Sequence, residues 1–408
     1  MKCRHCNSSL DIKFADLGTS PPSNSFLKKN QLQEPELHYP LRVRVCSNCW
    51  LVQTEDYAKR EEFFSPDYVY FSSYSKTWLV HSEEYVKKMV SQLKLGPRSF
   101  VVEVASNDGY LLQFVHGRGI PCLGIEPTRS TALMSTQKGI PTFCEFFGMD
   151  LALNLVKQNK QADLIVANNV LAHVPDMNDF LSGFALLLKK NGVATFEFPH
   201  LLRLVEKAQF DTIYHEHYSY LSLISLQNIF ETNGLEVFDV EELVTHGGSL
   251  RVFAQRKETG KHSVTKAVDR LLNTEKQAGM DKEGFYMGFQ GRIDSLKDSL
   301  LMLLLEKKTE NKKVVGYGAA AKGNTFLNYA GIRSDLILLV VDKSPQKQNK
   351  FLPGSRIPVR DESVIQELKP DYVIILPWNL KQEISEQLSY IRDWGGKFIV
   401  AIPELEIF

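Results

Sequence analysis

The sequence predicts an α/β protein with two successive units of alternating strands and helices, preceded by a small cysteine-rich unit. An apolar strand runs into a tight turn at Phe100–Gly109 and again at Val314–Asn324. Strands and helices alternate after each turn, which is typical of a parallel, doubly wound sheet. Four of the six cysteines form two CxxC pairs within the first fifty residues. These observations predict one N-terminal and two Rossmann-like domains.

Length and charge set the limits within which function must be sought. The chain has 408 residues, enough for two or three cores, and its 48 basic residues balance its 48 acidic ones. A nucleic-acid binder would usually carry a basic face, so we expect no nucleic-acid partner. The longest apolar runs, such as Leu336–Val341, are too short to span a bilayer, and the N-terminus lacks a secretory signal. We therefore expect a cytoplasmic protein without a membrane partner.

The paired cysteines predict a metal site. Cys3, Cys6, Cys46 and Cys49 form two CxxC turns, and two such turns complete a tetrahedral thiolate shell that suits structural Zn²⁺. His5 is an alternative ligand, although four thiols already suffice. The remaining two cysteines, Cys122 and Cys144, are expected to be buried, inert thiols. Such a site occurs in many kinds of protein and by itself indicates no function.

The first turn indicates the kind of cofactor. The strand Phe100–Val104 enters a turn with a single glycine, Gly109, and the next strand, Cys122–Ile125, ends on Glu126. A turn without GxGxxG is not built for a pyrophosphate, and its acids suit S-adenosylmethionine. Glu103 would face the cationic methionine part, and Glu126 would accept both ribose hydroxyls. Alternatively, Glu126 only caps the turn. Phe146 or Phe147 either stacks on adenine or belongs to the core.

Further elements continue the pattern as far as residue 308. The predicted elements are a helix over Trp78–Leu95, a strand over Ala162–Asn169, a helix over Met177–Leu188, a strand over Val193–Phe198, a helix over Leu223–Thr232, strands over Leu235–Leu243 and Ser249–Arg256, and a pair of connecting helices within Lys257–Lys308.

The stretch Ile213–Tyr220 holds two histidines, a carboxylate and three phenols. A polar cluster this dense is a poor way to build a core, because each buried polar group needs a partner. Histidine titrates nearest neutrality, and a neighbouring carboxylate or phenol can prepare it as a base. The stretch is thus a candidate acid–base centre. The alternative is a surface turn with accidental histidines.

The second turn, Gly316–Asn324, is rich in small residues and contains Lys322. Free backbone N–H groups at a helix start form an anion seat, to which a lysine adds charge. The following strand, Ile337–Val341, ends on Asp342, and later strands are Tyr372–Leu376 and Phe398–Ala401. We expect a phosphate-bearing substrate here. A glycine turn that only allows close packing, or an NAD(P) site, is the alternative.

Taken in order, these motifs resemble the sugar C-methyltransferases of deoxysugar biosynthesis over nearly the whole chain. The resemblance is carried by the CxxC pairs and five further motifs: Tyr68–Ser72, Glu103–Gly109, Tyr214–His217, His246–Arg251 and Gly316–Gly323. It implies a class I S-adenosylmethionine-dependent methyltransferase core between a zinc domain and a C-terminal domain that holds a nucleotide sugar. Members methylate carbon beside the ketone of a 4-keto-6-deoxy sugar, usually C3, and are typically monomeric.

The expected domains and site residues follow. The domains are 1–75 for zinc, 76–256 for S-adenosylmethionine, 257–310 for the connecting helices and 311–408 for the nucleotide sugar. His217 is the expected base, Tyr214 stabilises the enolate oxygen, and Glu216 and Tyr70 assist. The cofactor-binding set is Glu103, Ala105, Asn107, Asp108, Gly109, Tyr110, Glu126, Asn168 and His173. The substrate-binding set is Tyr68, Ser72, His200, His215, His246, Arg251, Gly318, Lys322 and Asn324.

Three rival functions remain open at this point. An O- or N-methyltransferase would need a base but no enolate. A sugar oxidoreductase would use the second turn for NAD(P). A zinc-containing regulatory protein would only sense S-adenosylmethionine, but the neutral charge and the proton-active stretch argue against it.

Overall fold

The computed structural model describes residues 1–57 and 71–408 and contains three β-sheets. Seventeen strands are present in the described residues: β1 Ile12–Ser20, β2 Tyr39–Val45, β3 Val52–Thr54, β4 Val101–Val104, β5 Cys122–Ile125, β6 Thr142–Phe143, β7 Ala162–Asn168, β8 Leu188–Pro199, β9 Ser219–Tyr220, β10 Leu235–Leu243, β11 Ser249–Arg256, β12 Val314–Tyr317, β13 Val340–Val341, β14 Val359–Arg360, β15 Tyr372–Ile375, β16 Lys397–Val400 and β17 Glu406–Ile407.

The α-helices lie around and between the sheets. Their bounds are Lys76–Leu93, Leu112–His116, Arg129–Gln137, Met149–Lys157, Met177–Leu187, Leu201–Glu206, Leu223–Thr232, Lys266–Ala278, Glu283–Tyr286, Phe289–Thr309, Ala321–Tyr329, Val364–Leu368 and Lys381–Gln387. Within the described part of the chain, no helix combines the length and the apolar character needed to cross a membrane.

The central sheet has seven strands in the order β10-β11-β8-β7-β4-β5-β6. Strands β4 to β8 run parallel, as predicted, but β11 is antiparallel to both β8 and β10. The expectation of an all-parallel sheet was therefore wrong at this edge. The five-residue connection 244–248 is too short for a crossover between parallel strands, so β10 and β11 can only form an antiparallel pair.

The N-terminal sheet contains a strand from the middle of the chain. Its order is β1-β2-β3-β9, and β9 immediately follows the acid–base stretch. Val52 of β3 pairs with Tyr220 of β9. The polar stretch is thereby joined to the cysteine-rich part, whereas the sequence placed it wholly in the central domain. The domain bounds themselves remain a prediction.

The C-terminal sheet has the order β14-β13-β12-β15-β16-β17, with only β17 antiparallel. The predicted strand Ile337–Val341 is reduced to the two residues of β13. The first connecting helix is held by a buried acid. Glu275 accepts hydrogen bonds from the backbone N–H groups of Leu223 and Ile224 and contacts His200 Nε2 at 2.7 Å. It therefore caps the helix Leu223–Thr232 from outside.

Candidate active site

The four CxxC cysteines converge on one point. Their sulfur atoms all lie within 4.8 Å of one another, and three Sγ–Sγ pairs are 3.5 to 3.7 Å apart. A regular tetrahedron with sulfurs ~2.3 Å from its centre has edges of about 3.8 Å, so the set fits one Zn²⁺. His5 is no part of the cluster, because its Nδ1 contacts Asn178 Oδ1 at 2.8 Å. Cys122 is buried as predicted, whereas Cys144 is exposed and the prediction was wrong for it.

The acid–base stretch lies at a cavity of about 370 Å³ between the three sheets. The central sheet provides one wall, from Val104 to Pro199, and the N-terminal part contributes Asn24. The C-terminal part contributes Ala320–Lys322, Lys347 and Asn379. A cavity of this size, mainly apolar with a few polar groups, is typical of a small-molecule site.

The N-terminal, central and C-terminal parts of the chain each fix the acid–base stretch. Thr54, at the end of β3, donates through its hydroxyl to the His217 carbonyl at 3.1 Å. The Tyr218 N–H donates to the Ala172 carbonyl of the central domain at 2.8 Å. Thr325, in the helix after the second turn, donates to the Ile213 carbonyl at 3.0 Å. The loop geometry therefore depends on all parts of the chain.

His217 is held as a neutral base. Its Nδ1 lies 2.8 Å from the Thr212 carbonyl, which can only accept, so Nδ1 carries the proton. The Nε2 lone pair then accepts from the Tyr214 hydroxyl at 2.6 Å. Burial holds the pKa of His217 well below its ordinary value, and the nearby His173 and Lys322 lower it further. The imidazole is thus unprotonated at neutral pH and can accept a proton at Nε2.

Glu216 does not orient His217; of the two orienting groups that the sequence suggested, a carboxylate or a phenol, the structure has the phenol of Tyr214. Both oxygens of Glu216 accept from the Asn24 side-chain amide, at 2.7 and 3.0 Å. Burial raises the pKa of Glu216 to about 7, while the Asn24 hydrogen bond lowers it. Tyr214 and the Thr212 carbonyl orient the base instead. Asn24, 192 residues away in sequence, was not anticipated.

Two further histidines line the cavity near His217. The rings of His173 and His217 meet edge to face with centroids 4.6 Å apart. His246 lies beside Trp78, with centroids 5.4 Å apart, and its Nε2 is 3.2 Å from Asn169 Nδ2. Burial lowers the pKa of His173 and of His246 to about 4. Both are therefore neutral at physiological pH.

The first turn faces the same cavity. Ala105, Asn107, Tyr110, Glu126 and Asn168 all line it, next to Phe146 and Phe147. Glu126 accepts from the backbone N–H groups of Asn107 and Thr128 at 2.9 and 2.8 Å. A carboxylate offers about four acceptor positions, so it can still accept from a ligand.

The other predicted cofactor residues lie behind this wall. Glu103 is fully buried and faces the phenol of Tyr110, and burial raises its pKa well above the ordinary value. Asp108 bonds Ser73 and Lys138, and Gly109 permits a positive φ of 76° where a Cβ would lie 2.5 Å from Ile140. Neither Asp108 nor Gly109 lines the cavity, so we expect them to support the turn rather than contact a ligand.

The second turn contributes Lys322 to the cavity but neither Gly318 nor Asn324. Gly318 has φ 89°, and a Cβ there would lie 2.6 Å from Pro377. The amide of Asn324 donates to the Ser23 carbonyl at 2.6 Å. Both are packing residues in this structure, which corrects their expected role in direct substrate contact.

Three more substrate candidates are occupied elsewhere. His200 contacts Glu275, His215 Nε2 lies 3.2 Å from the Pro40 carbonyl, and Arg251 donates to Glu197 at 2.6 Å. All three are buried, and none lines the cavity. Ser72 does line it, whereas Tyr68 and Tyr70 lie outside the described residues.

Several cavity residues escaped the sequence reasoning. They include Asn24, Trp78, Asn169, Thr212, Lys347 and Asn379. The acid–base stretch itself gave a local signal for Thr212, which is adjacent to it. For the others no local pattern distinguishes them from ordinary surface residues, since they come from separate elements.

Family comparisons cover the chain in three segments. Residues 3–64 match a model described as "Putative zinc binding domain", residues 81–240 a methyltransferase domain, and residues 244–403 a C-methyltransferase C-terminal domain. The C-methyltransferase NovU of Streptomyces niveus is 32% identical over 403 residues, which is 99% of this chain and 96% of NovU. The chain belongs to the C-methyltransferase family.

It is therefore an S-adenosylmethionine-dependent methyltransferase with a zinc-binding N-terminal domain, as the sequence predicted. Solved structures share less with it. Magnesium protoporphyrin IX methyltransferase from Synechocystis PCC 6803 is 15% identical, with 43% of this chain and 80% of that chain covered and a TM-score of 0.32. A methyltransferase from Clostridium acetobutylicum ATCC 824 is 12% identical, covering 44% and 92%, with a TM-score of 0.36.

Proposed function

We propose that the enzyme methylates C3, the carbon beside the ketone, of a nucleotide-linked 4-keto-6-deoxy sugar by way of an enolate. The neutral, buried His217 with its Nε2 lone pair directed at Tyr214 carries this proposal. Carbon becomes a nucleophile only after a proton is removed, and a neighbouring ketone makes that proton acidic. Carbon methylation requires a base of this kind, whereas binding alone does not.

The proton transfer assigns roles to two residues. His217 Nε2 accepts the C3 proton, and the Thr212 carbonyl stabilises the imidazolium through Nδ1–H. Tyr214, which donates to Nε2 in the free enzyme, turns its hydroxyl to the ketone oxygen as that oxygen gains charge. One such donor is typically worth roughly 3–4 kcal/mol of transition-state stabilisation.

The two ligands would enter the cavity from opposite sides. Ala105, Asn107, Tyr110, Glu126 and Asn168 would hold S-adenosylmethionine at the first turn. That cofactor supplies the methyl group when bound. The nucleotide sugar would lie between the second turn and the acid–base stretch, with its C3 facing His217. The cavity joins both regions, which supports a direct transfer between the two ligands.

The test is exchange of the C3 proton without methyl donor. Wild-type enzyme in D₂O with dTDP-, CDP- or GDP-linked 4-keto-6-deoxyglucose should exchange the C3 proton of one of them, observed by NMR. His217→Asn keeps the size but loses the base, so exchange and methylation should both fall ~100- to 10,000-fold. The exposed His116→Asn is the matched control and should leave both rates unchanged.

Two results would change the proposal. If exchange survives in His217→Asn and disappears in Tyr214→Phe, the phenol is the base. If the wild type methylates a sugar without exchanging C3 at any buffer composition or reaction time, the acceptor is oxygen or nitrogen.

A further inference from the structure

The ammonium group of Lys322 is buried at the cavity without a hydrogen bond. Its Nζ has no hydrogen-bond partner among residues 1–57 and 71–408, although the stem of the side chain is partly exposed. Burial lowers the pKa of Lys322, and the charge of the nearby Asp211 raises it. It lies 5.0 Å from the ring centroid of Trp378, a cation–π contact. A buried ammonium without an acceptor is costly, so its retention calls for an explanation. An acceptor supplied by the ligand would provide one.

The charge of Lys322 acts on the reacting end of the cavity. Lys322 lines the same cavity as His217 and His246, and it lowers the pKa of both histidines. Thr325, one helical turn further on, bonds the Ile213 carbonyl and ties this helix to the acid–base stretch. Lys322 is therefore fixed relative to the base.

The surroundings of Lys322 are rigid. The indole N–H of Trp378 donates to Asp211 at 2.7 Å, and Asp211 is itself buried. The other edge of Trp378 packs on Gly247, where a Cβ would lie 2.3 Å from the ring. Asp211 and Gly247 thus fix the plane of the Trp378 indole ring over which the ammonium group lies. Such preorganisation is what electrostatic catalysis needs.

A second lysine is better placed for the phosphates. Lys347 also lines the cavity, and its Nζ donates to the Ala319 carbonyl at 2.8 Å and lies 3.5 Å from Asp342. It therefore lies directly against the backbone of the second turn, where an anion seat was predicted. The Nζ of Lys322 lies instead over the ring of Trp378.

We propose that Lys322 contacts the ketone oxygen of the acceptor, while Lys347 contacts the diphosphate. This rests on the proposed function and replaces the phosphate role expected for Lys322 from the sequence. When the C3–H bond breaks, the proton goes to His217 Nε2 and the electron pair forms the C3–C4 double bond. The C4 oxygen becomes negative and gains the ammonium as its counter-charge. Tyr214 adds a neutral hydrogen bond to the same oxygen.

Two lysine-to-methionine variants of the full-length, zinc-loaded enzyme test this division. Affinity for dTDP, CDP and GDP is measured by calorimetry, and C3 exchange is measured at saturating nucleotide sugar without methyl donor. Lys322→Met should slow exchange about 100- to 1,000-fold and leave nucleoside diphosphate affinity within about twofold. Lys347→Met should weaken that affinity tenfold or more. Lys322→Arg, which keeps the charge, should exchange faster than Lys322→Met.

The outcomes separate the two proposals. If Lys322→Met weakens nucleoside diphosphate binding and keeps saturated exchange, Lys322 is a phosphate ligand and this proposal is overturned. If wild-type enzyme exchanges no C3 proton, the proposed function fails first. If Lys322→Met does not fold, as judged by circular dichroism, Lys322→Gln replaces it with the same expected results.

Discussion

In both strand–turn–helix units, an acid that follows the second strand accepts hydrogen bonds from the backbone of the turn. In the central unit Glu126 accepts from the N–H groups of Asn107 and Thr128. In the C-terminal unit Asp342 accepts from those of Ala319 and Ser344, at 2.8 Å each. The two turns thus share one way of fixing their backbone.

The side chains around the two turns carry opposite charges. Glu126 faces the cavity at the first turn. At the second turn the charged groups that face the cavity are Lys322 and Lys347. A cationic sulfonium suits the first turn and an anionic diphosphate the second. Under the proposed function, the neighbouring charges would select the ligand, whereas the turn would only present it.

The largest expected effect follows from the loss of zinc, which should disturb the acid–base stretch but not the two turns on either side of it. Cys46→Ser should release zinc and loosen the N-terminal sheet, because structural zinc contributes on the order of 10 kcal/mol to folding. Methylation should be lost because Thr54 of this sheet holds His217. Affinity for S-adenosylmethionine at the first turn should persist, as calorimetry can test. The exposed Cys144→Ser is the control. A wild-type protein without zinc, after purification without chelator, would contradict this prediction.

The acid–base stretch should also make the stability of the protein depend on pH. The pKa of Glu216 is about 7 in the folded state, against an ordinary value of about 4.5 that applies to the unfolded state. Between these values the folded state keeps a proton that the unfolded state has lost, so stability falls as pH rises from about 4.5 to 7. The loss is roughly 3 kcal/mol by the linkage relation. The free energy of unfolding, measured with urea at pH 4.5 and pH 7, should show no such loss in Glu216→Gln. The exposed Glu145→Gln should behave like wild type. Parallel pH profiles for wild type and Glu216→Gln would refute this assignment.

A matched pair of substitutions tests the opposite preferences directly. Glu126→Ala should weaken S-adenosylmethionine binding by about 1.5–3 kcal/mol, because the ribose hydroxyls lose a charged acceptor. Asp342→Ala should leave that affinity unchanged and weaken nucleoside diphosphate binding, since Asp342 positions Ala319 and Lys347. Calorimetry of both variants with both ligands completes the comparison. Equal effects of the two variants on both ligands would mean that the turns are not specialised.

The smallest effect concerns the backbone of the turns. Ala105 has φ 57°, a conformation that costs a non-glycine residue about 1–2 kcal/mol. Ala105→Gly should relieve that strain and, after the entropy cost of glycine, stabilise the protein by about 0.5–1 kcal/mol. Gly318→Ala should destabilise it, because the added Cβ meets Pro377. Thermal unfolding of both variants measures the difference, and a destabilised Ala105→Gly would show that the turn needs its methyl group.

Local patterns predicted the elements well where a single hydrophobic periodicity runs between residues that end helices or strands. The strand Cys122–Ile125, the helix Leu223–Thr232 and the strands Leu235–Leu243 and Ser249–Arg256 have the predicted bounds. The paired cysteines likewise predicted their own cluster, since the CxxC spacing fixes each half of the site. In these cases the determining interactions are close in sequence.

Long-range contacts account for what the sequence could not show. The two residues of β9 become a strand only because β3 lies beside them. Glu216 accepts its hydrogen bonds from Asn24, which is distant in sequence. His215 faces the Pro40 carbonyl, whereas His217 faces the Thr212 carbonyl and the Tyr214 hydroxyl. No periodicity distinguishes those two histidines. The division of labour between Lys322 and Lys347 likewise depends on the folded arrangement.

The three-way attachment of the acid–base stretch has a consequence for protein engineering. A chimera that exchanges residues 311–408 with a relative, in order to change the sugar nucleotide, also exchanges Thr325 and Asn324. Those two side chains hold the Ile213 and Ser23 carbonyls of the other parts. A graft that lacks a hydroxyl at position 325 would leave the first turn of the recipient intact but would misalign His217. Successful exchange therefore requires that the donor segment retain this hydroxyl.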